Sequence, residues 1–331
     1  MDEPKQRSLI LASSNPTPKT RRTAIRPTVA ERLYQEQVAM AAEDAKKAGA
    51  LGYFARSLVQ ATLPYKEPDP NLPVWFRQAE DVALMIKPGY YIDRSGDKPE
   101  SKSIGYPYGS IPRLLIAWIS TAVKLQQQRE LVLGKQLSEF MTAIGLDKHT
   151  GGKTGSITRL RDQMKRLFAA DMAIVRGGSP EDASFSNSKY SVADSTNLWW
   201  DPQSPEQAGL WESTVVLSEK LYKELIENPI PIDLRALAAL SAAPMAIDLY
   251  SYLTWRMFNL KKATTIPWEA LWVQFGSNSD SENAQKKFKQ LFKATLERVL
   301  LVYPEAKATP VKSGLYIAPS QTSIPRAKND D

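Results

Sequence analysis

The chain has 331 residues, with 43 Lys and Arg against 36 Asp and Glu, one histidine and no cysteine. The lack of cysteine excludes disulfides, cysteine nucleophiles and thiolate zinc sites, and the lone His149 excludes a multi-histidine metal site. The net charge of +7 favours a polyanionic partner. No apolar run approaches the roughly 20 residues of a membrane span and no signal core is present, so we expect a cytoplasmic protein without membrane contact.

The N-terminal part is cationic and then helical. Residues 1–28 hold six basic residues and four prolines, which predicts a basic, disordered arm that either follows phosphates or aids solubility. Thr28 is expected to cap a helix that runs from Val29 to about Ala48. A second helical piece is predicted from Tyr53 to Thr62, before a proline-rich linker.

Residues 74–205 show the element order of a winged helix: helix, strand, two helices and a strand pair. Val82 to Ile92 predicts two short strands about a Pro-Gly turn, and residues 93–103 a polar loop. The elements expected after it are a buried helix capped by Ser110, a strand at Glu130–Gly134, helices at Lys135–Leu146 and Ser156–Phe168, and strands at Met172–Arg176 and Tyr190–Trp200.

The helix Ser156–Phe168 has two faces. The apolar residues Ile157, Leu160, Met164, Leu167 and Phe168 repeat at helical spacing and predict a buried face. The opposite face carries Thr158, Arg159, Lys165 and Arg166, with Arg161 at its border. Lys153, Thr154 and Ser156 open the helix, where free backbone amides favour phosphate. A solvated surface helix has the same pattern, so this helix alone does not decide the function.

The second half repeats this order. The predicted elements are a strand at Trp211–Leu217, a helix after Ser218, a helix at Pro244–Arg256, a strand at Thr264–Pro267, helices at Trp268–Phe275 and Ser281–Arg298, and strands at Val299–Tyr303 and Gly314–Ala318. In the third helix Ala284, Phe288, Leu291 and Phe292 are expected to be buried. Lys286, Lys289 and Lys293 lie opposite, with Gln285 and Gln290 at the edges.

The fold class expected is α+β, mostly helical, with two tandem winged-helix domains. The predicted divisions are a basic disordered arm at 1–28, a helical segment and linker at 29–73, a first domain at 74–205, a second at 206–320 and a disordered tail at 321–331.

Two cationic third helices in matching places favour DNA binding. Lys and Arg give affinity through counterion release, Arg pairs with guanine, and Gln pairs with adenine. Lys189 and, at the tip of the second wing, Lys307 and Lys312 are predicted to contact phosphates.

Several motifs occur in an order that resembles the plasmid replication initiator RepA family of bacteria. They are Tyr106–Leu115, Glu130–Gly134, Thr150–Gly152, Gly155–Gln163, Leu198–Pro202, Leu210–Ser213, Ile266–Leu271 and Val302–Ala306. The resemblance spans roughly residues 75–320 and leaves out the N-terminal arm.

This resemblance implies a sequence-specific protein that binds double-stranded DNA at repeated sites (iterons) of a plasmid origin and initiates replication. It also implies recruitment of the host initiator DnaA and the replicative helicase, and autorepression by a homodimer. We expect no enzymatic activity, no cofactor and no metal. Two alternatives stay open: a winged-helix transcriptional repressor without origin activity and, more remotely, a nicking enzyme of rolling-circle replication, which the single histidine disfavours.

Overall fold

A computed structural model describes residues 28–79, 82–134, 139, 141, 155–176, 186–198, 213–276 and 281–325. The helices are α1 (Val29–Ala42), α2 (Arg56–Gln60), α3 (Ser110–Gln126), α4 (Ser156–Phe168), α5 (Glu219–Glu227), α6 (Leu234–Leu240), α7 (Pro244–Asn259), α8 (Trp268–Phe275) and α9 (Glu282–Val302). The predicted helix Lys135–Leu146 falls mostly outside the described residues, although Glu139 and Met141 are helical.

The strands are β1 (Leu51–Ala55), β2 (Trp75–Ala79), β3 (Val82–Lys87), β4 (Tyr90–Asp93), β5 (Glu100–Ser103), β6 (Glu130–Val132), β7 (Asp171–Arg176), β8 (Ser186–Ser191), β9 (Ala193–Asn197), β10 (Thr214–Leu217), β11 (Pro229–Asp233), β12 (Thr264–Pro267), β13 (Ala308–Val311) and β14 (Gly314–Ile317). They form antiparallel sheets in the orders β1-β11, β2-β3-β7-β8, β4-β5, β6-β10-β9 and β12-β14-β13. The fold is therefore mixed, with more strand than a mostly helical chain would have.

The N-terminal segment begins as expected and then differs. The Thr28 hydroxyl accepts the Glu31 amide at 3.2 Å while the Glu31 carboxylate accepts the Thr28 amide at 2.6 Å, a capping box that confirms the start of α1. The helix ends at Ala42, before the predicted Ala48. The helix predicted from Tyr53 is wrong over its first residues, because β1 pairs with β11 along its whole length.

The first unit comprises the described elements between Trp75 and Glu227. Its central helix α3 is buried from Ile111 to Val123, as its apolar run predicts. The cap differs from prediction: Gly109 is the N-cap, at φ 77°, and Ser110 is already helical. A positive φ suits glycine and is strained for serine.

The strands of the first unit pair differently from the expected local hairpins. The Pro88-Gly89 break separates β3 from β4, but β3 pairs with β2 and β7, while β4 pairs with β5. The stretch 93–103, predicted to be a loop, contains β5, whose four polar residues gave no apolar alternation. Val192 separates β8 from β9, so that β8 joins β7 and β9 joins β10.

The placement of β10 ties it to the first unit, although the sequence puts it at the start of the second. It pairs with β6 on one side and with β9 on the other. The following helix, α5, begins at an N-cap, Ser218, whose hydroxyl accepts the Leu221 amide at 3.3 Å. Both elements therefore belong to the structure that surrounds α3.

The second unit comprises α7, β12, α8, α9, β13 and β14 (Pro244–Ile317). The strand predicted at Val299–Tyr303 is wrong, because α9 continues to Val302. Val299 and Val302 are buried on the helical face that begins at Phe292, so the apolar run extends one helical stripe.

The expected disordered tail also needs correction. The Tyr303 hydroxyl donates to the Gln321 carbonyl at 2.8 Å, and the hydroxyls of Tyr250 and Ser323 lie 2.7 Å apart. Residues 321–325 thus pack on the second unit.

Candidate nucleic-acid interface

Helix α4 offers one cationic face. Met164, Leu167 and Phe168 are buried against the rest of the first unit, which confirms the predicted apolar face at those positions. Arg159 and Lys165 are exposed, and the predicted contacts Thr158 and Arg161 are half-buried. The predicted contacts Lys153 and Thr154 lie outside the described residues, as do the side chains of Ser156 and Ile157.

Arg166 is not offered to a groove as the helical pattern predicts. Its side chain is 14 % exposed and forms ion pairs with Asp162, at 2.8 Å, and with Glu67. The guanidinium carbon lies 5.3 Å from the centroid of the Tyr108 ring. Arg159 and Arg166 share a helix face, but Glu67, from the stretch before β2, and Tyr108, from the stretch before α3, cover the C-terminal end of that face. Arg166 therefore holds α4 in place.

Gln163 is a positioning residue that the sequence interpretation missed. Its side chain is buried and its Oε1 accepts the Tyr108 amide at 2.9 Å. Its place between Leu160 and Leu167, inside the apolar stripe, was the available signal, since a polar residue there needs a partner.

Helix α9 is held by an aromatic cluster. The ring centroids of Phe292 lie 5.7 Å from Trp268 and 5.8 Å from Phe275, both edge-to-face. Phe288 lies 5.2 Å from Trp272 in the same manner. Such contacts fix the roll of α9 on α8, and so decide which residues face outward.

The outward face of α9 is cationic and amide-rich. Its exposed residues include Gln285, Lys286, Lys287, Gln290 and Lys293. Lys289 is half-buried, and its ammonium and that of Lys293 each lie 5.8 Å from the centroid of the Trp268 ring. Residues 283–296 hold four lysines and no acidic residue. Lys287 was not among the predicted contacts.

Leu291 corrects the predicted buried face of α9. It is 54 % exposed, whereas Phe292 is fully buried. One residue turns the helix by about 100°, which takes Leu291 off the face that Phe288 and Phe292 share.

Trp268 joins helix α9 to the β13–β14 hairpin, a role that the sequence did not reveal. Its indole Nε1 donates to the Val311 carbonyl at 3.2 Å, and its backbone amide donates to the Ser313 carbonyl at 3.3 Å. The same ring packs on Phe292. Trp268 thereby fixes the β13–β14 hairpin relative to α9.

The three predicted wing lysines differ in place. Lys312 lies exposed in the two-residue turn between β13 and β14, as predicted. Lys307 is at the opposite, base end, where its carbonyl accepts the Ala318 amide at 2.9 Å, so the predicted tip position is wrong. Lys189 is exposed in the middle of β8, opposite Ala173.

The described residues show neither a cluster of three metal-ligating side chains nor a helix long and apolar enough to cross a bilayer. The arrangement that they do show, lysine ammoniums and glutamine amides on one helix beside a lysine-tipped hairpin, suits phosphate oxygens and base edges.

Comparison with known proteins gives a family match and distant similarities to solved structures. Residues 106–270 match the family model described as plasmid encoded RepA protein. The crystal structure of selenomethionine derivatives of domains 2 and 3 of RctB is similar at 11% identity and a TM-score of 0.48, over 81% of this chain and 98% of that chain. A structure of RctB domains 2-3 is similar at 11% identity and a TM-score of 0.44, over 78% of this chain and 94% of that chain. No curated protein matches the sequence.

The family match is narrower than the span of motifs noted in the sequence. It includes α3 and α4 and ends within α8, so α9 and its hairpin lie beyond it. By that match the chain belongs to the family of plasmid-encoded RepA proteins, a plasmid replication protein family.

Proposed function

We propose that this protein initiates plasmid replication by binding duplex DNA at the plasmid origin. Family membership supports the coarse function, plasmid replication. The observation that carries the DNA-binding mechanism is the outward face of α9, where residues 283–296 combine four lysines with two glutamines and no acidic residue.

In this proposal the second unit acts as a winged helix. Helix α9 enters a major groove, which is wide enough for one helix, and Gln285 or Gln290 contacts adenine. Lys286, Lys287 and Lys293 meet phosphates, and Lys312 at the hairpin turn meets the backbone beside the groove. The cluster around Trp268 sets the angle between helix and hairpin.

The first unit supplies a second contact, so that one molecule covers two successive grooves. Arg159 and Lys165 are the exposed cations of α4, and Arg161 and Thr158 flank them. Two recognition helices about one helical turn of DNA apart give a longer site than either gives alone.

The finer functions follow from the resemblance to plasmid initiators. We propose that the DNA sites are iterons, that the bound protein recruits host DnaA and the replicative helicase, and that a homodimer represses its own promoter. No catalytic step, cofactor or metal enters this mechanism.

Substitution of the lysines of α9 tests the proposal. The DNA that flanks the coding region is the probe, and fluorescence anisotropy is measured over a range of salt concentrations. Lys286→Ala and Lys293→Ala are each expected to lower the magnitude of the salt slope by about one, because each removes one phosphate contact. Lys46→Ala, an exposed lysine in the turn after α1, is the matched control and should leave the slope unchanged. Unchanged slopes in both α9 variants would remove this helix as the DNA contact.

Two further assays separate the alternative functions. On supercoiled origin DNA, an initiator exposes unpaired thymines to permanganate, whereas a repressor binds without doing so. A nick or a covalent tyrosine adduct in the presence of Mg²⁺ would support the rolling-circle alternative.

A further inference from the structure

A buried arginine joins the two units. Arg113 lies in the first turn of α3 and Asp248 in α7, and their side chains are 1% and 2% exposed. Arg113 Nε donates to Asp248 Oδ1 and Nη2 to Oδ2, both at 2.7 Å. The remaining N–H groups donate to the carbonyls of Leu63, Pro64 and Gly109 at 2.6–3.2 Å. All five donors of the guanidinium therefore have a partner.

A second arginine crosses the same boundary. Arg77, on β2 of the first unit, is 6% exposed. Its Nη1 donates to the carbonyls of Gln274, at 3.1 Å, and Gly276, at 2.7 Å, where α8 ends. Both guanidiniums lie close to the ring of Tyr65, with the guanidinium carbons of Arg77 and Arg113 at 5.1 Å and 4.9 Å from the ring centroid. We name these four residues, Tyr65, Arg77, Arg113 and Asp248, the inter-unit cluster.

The elements joined by this cluster are those that carry the two cationic helices. In the first unit α4 packs on α3, the helix of Arg113. In the second unit α9 packs on α7, the helix of Asp248, and on α8, whose final carbonyls bind Arg77. The cluster therefore acts on the distance and rotation between α4 and α9.

A buried ion pair is poorly explained by stability alone. Desolvation of both charges offsets much of their attraction, and apolar side chains of similar volume serve as well or better. What the planar guanidinium fork adds to apolar packing is directional hydrogen bonding, because its paired donors meet a carboxylate in one geometry.

We propose that the inter-unit cluster is a positioning device that fixes the separation of the two DNA-contacting helices and so selects the spacing between the two DNA segments that one molecule binds. This inference rests on the proposed function. The first test of the positioning role is made without DNA, so that it can fail independently of the proposed DNA-binding function.

The first test measures the distance between the helices in the free protein. The chain has no cysteine, so Arg159→Cys and Lys286→Cys place one spin label on each exposed helix face without interference. The pulsed-EPR distance distribution should be narrow in the otherwise unchanged chain and broader or shifted with Asp248→Asn. Glu219→Gln, which breaks the exposed pair with Lys223, is the matched carboxylate control and should leave the distribution unchanged. An unchanged distribution with Asp248→Asn overturns the inference.

The second test uses protein without spin labels and measures how binding depends on the spacing within the DNA site. The site is first located by footprinting the protein on origin DNA, and base pairs are then inserted between the two major grooves that the protein protects. An insertion of about 5 base pairs, half a helical turn, should weaken binding by the unsubstituted protein tenfold or more. With Asp248→Asn the same insertion should weaken binding by less than about threefold, because the helices adjust.

The outcomes separate the two claims. If no variant binds the origin DNA, the proposed function fails while the distance test still judges the cluster. If the DNA is bound and Asp248→Asn keeps the full spacing preference, the positioning role fails. If Asp248→Asn does not fold, as judged by circular dichroism, both tests are repeated with Arg77→Gln, which removes the other arginine of the inter-unit cluster.

Discussion

Arg159 and Arg166 lie two turns apart on one face of α4 and have opposite surroundings. Arg159 is exposed, whereas Arg166 is enclosed by Asp162, Glu67 and the Tyr108 ring. The helical spacing assigns both arginines the same role, because it predicts the direction in which each side chain points. It does not predict which residues of other segments contact that side chain. In the proposed DNA complex it is therefore Arg159, not Arg166, that contacts the DNA.

The two arginines should separate binding from stability when each is replaced by alanine. Arg166→Ala is expected to lower the free energy of unfolding by about 1–3 kcal/mol, since it removes charged hydrogen bonds that hold α4 to the first unit. Arg159→Ala should leave that free energy unchanged and weaken DNA binding. Urea unfolding and anisotropy titrations measure both quantities. A stable Arg166→Ala protein with relaxed preference at one base would restore the groove contact predicted from the sequence.

At the scale of single elements, the sequence predicted those whose signals are local. The N-cap at Thr28 and the apolar stripe of α4 follow from neighbours within one or two turns, and both are present. The strand β1 was missed because its partner, β11, is distant in sequence. The end of α9 was missed because an apolar run near Val299 fits a buried strand as well as a helical stripe.

The same limit applies to the candidate site. Three lysines of α9, Lys286, Lys289 and Lys293, were predicted from their helical spacing, which is a local property. Trp268 and Gln163 were not, because their roles depend on Val311 and Tyr108, which are far from them in sequence. The positions of the positively charged residues could thus be predicted from the sequence. The residues that orient the helices carrying them could not.

The β12–β14 pairing offers a sharp test of one element. A Cβ at Gly314 would lie 1.9 Å from the Ile266 carbonyl oxygen and 2.8 Å from its carbon, both backbone atoms. Gly314→Ala must displace β12 from β14, and overpacking of this kind costs about 1–3 kcal/mol. Thermal unfolding should show this loss, and DNA binding should weaken because the hairpin turn moves.

Gly96 provides the matched control, since a Cβ there meets only the Lys98 carbonyl oxygen at 3.9 Å. Gly96→Ala should change the unfolding free energy by no more than about 0.5 kcal/mol. Equal stability of the two variants would contradict the tight pairing of β12 and β14.

The whole molecule should become less stable in alkali. Burial raises the pKa values of Tyr65, Tyr190, Tyr250 and Tyr303 above the ordinary value of 10.0. Above that pH the unfolded chain releases these protons while the folded chain keeps them, so the unfolded state binds fewer protons and stability falls as pH rises. Each such tyrosine contributes a slope of about 1.4 kcal/mol per pH unit between its two pKa values.

Urea unfolding at a series of pH values from about 9 to about 11.5 measures this slope. Tyr65→Phe removes one of the four hydroxyls and should make the fall less steep. The Tyr65 hydroxyl has no hydrogen-bond partner among the described residues, so the substitution should cost little at neutral pH. A stability that is flat with pH above 10 would contradict the burial of these side chains.

The pairing of β1 with β11 has a consequence for how the chain is made. Synthesis proceeds at about 5–20 residues per second, so β1 leaves the ribosome roughly ten seconds or more before its partner. The interval is longer for helix α1, because α1 packs on α9, which is synthesised after β11. Helix α1 and strand β1 are thus synthesised early but are among the last elements to pack, and the nascent chain carries the open edge of β1 until β11 emerges.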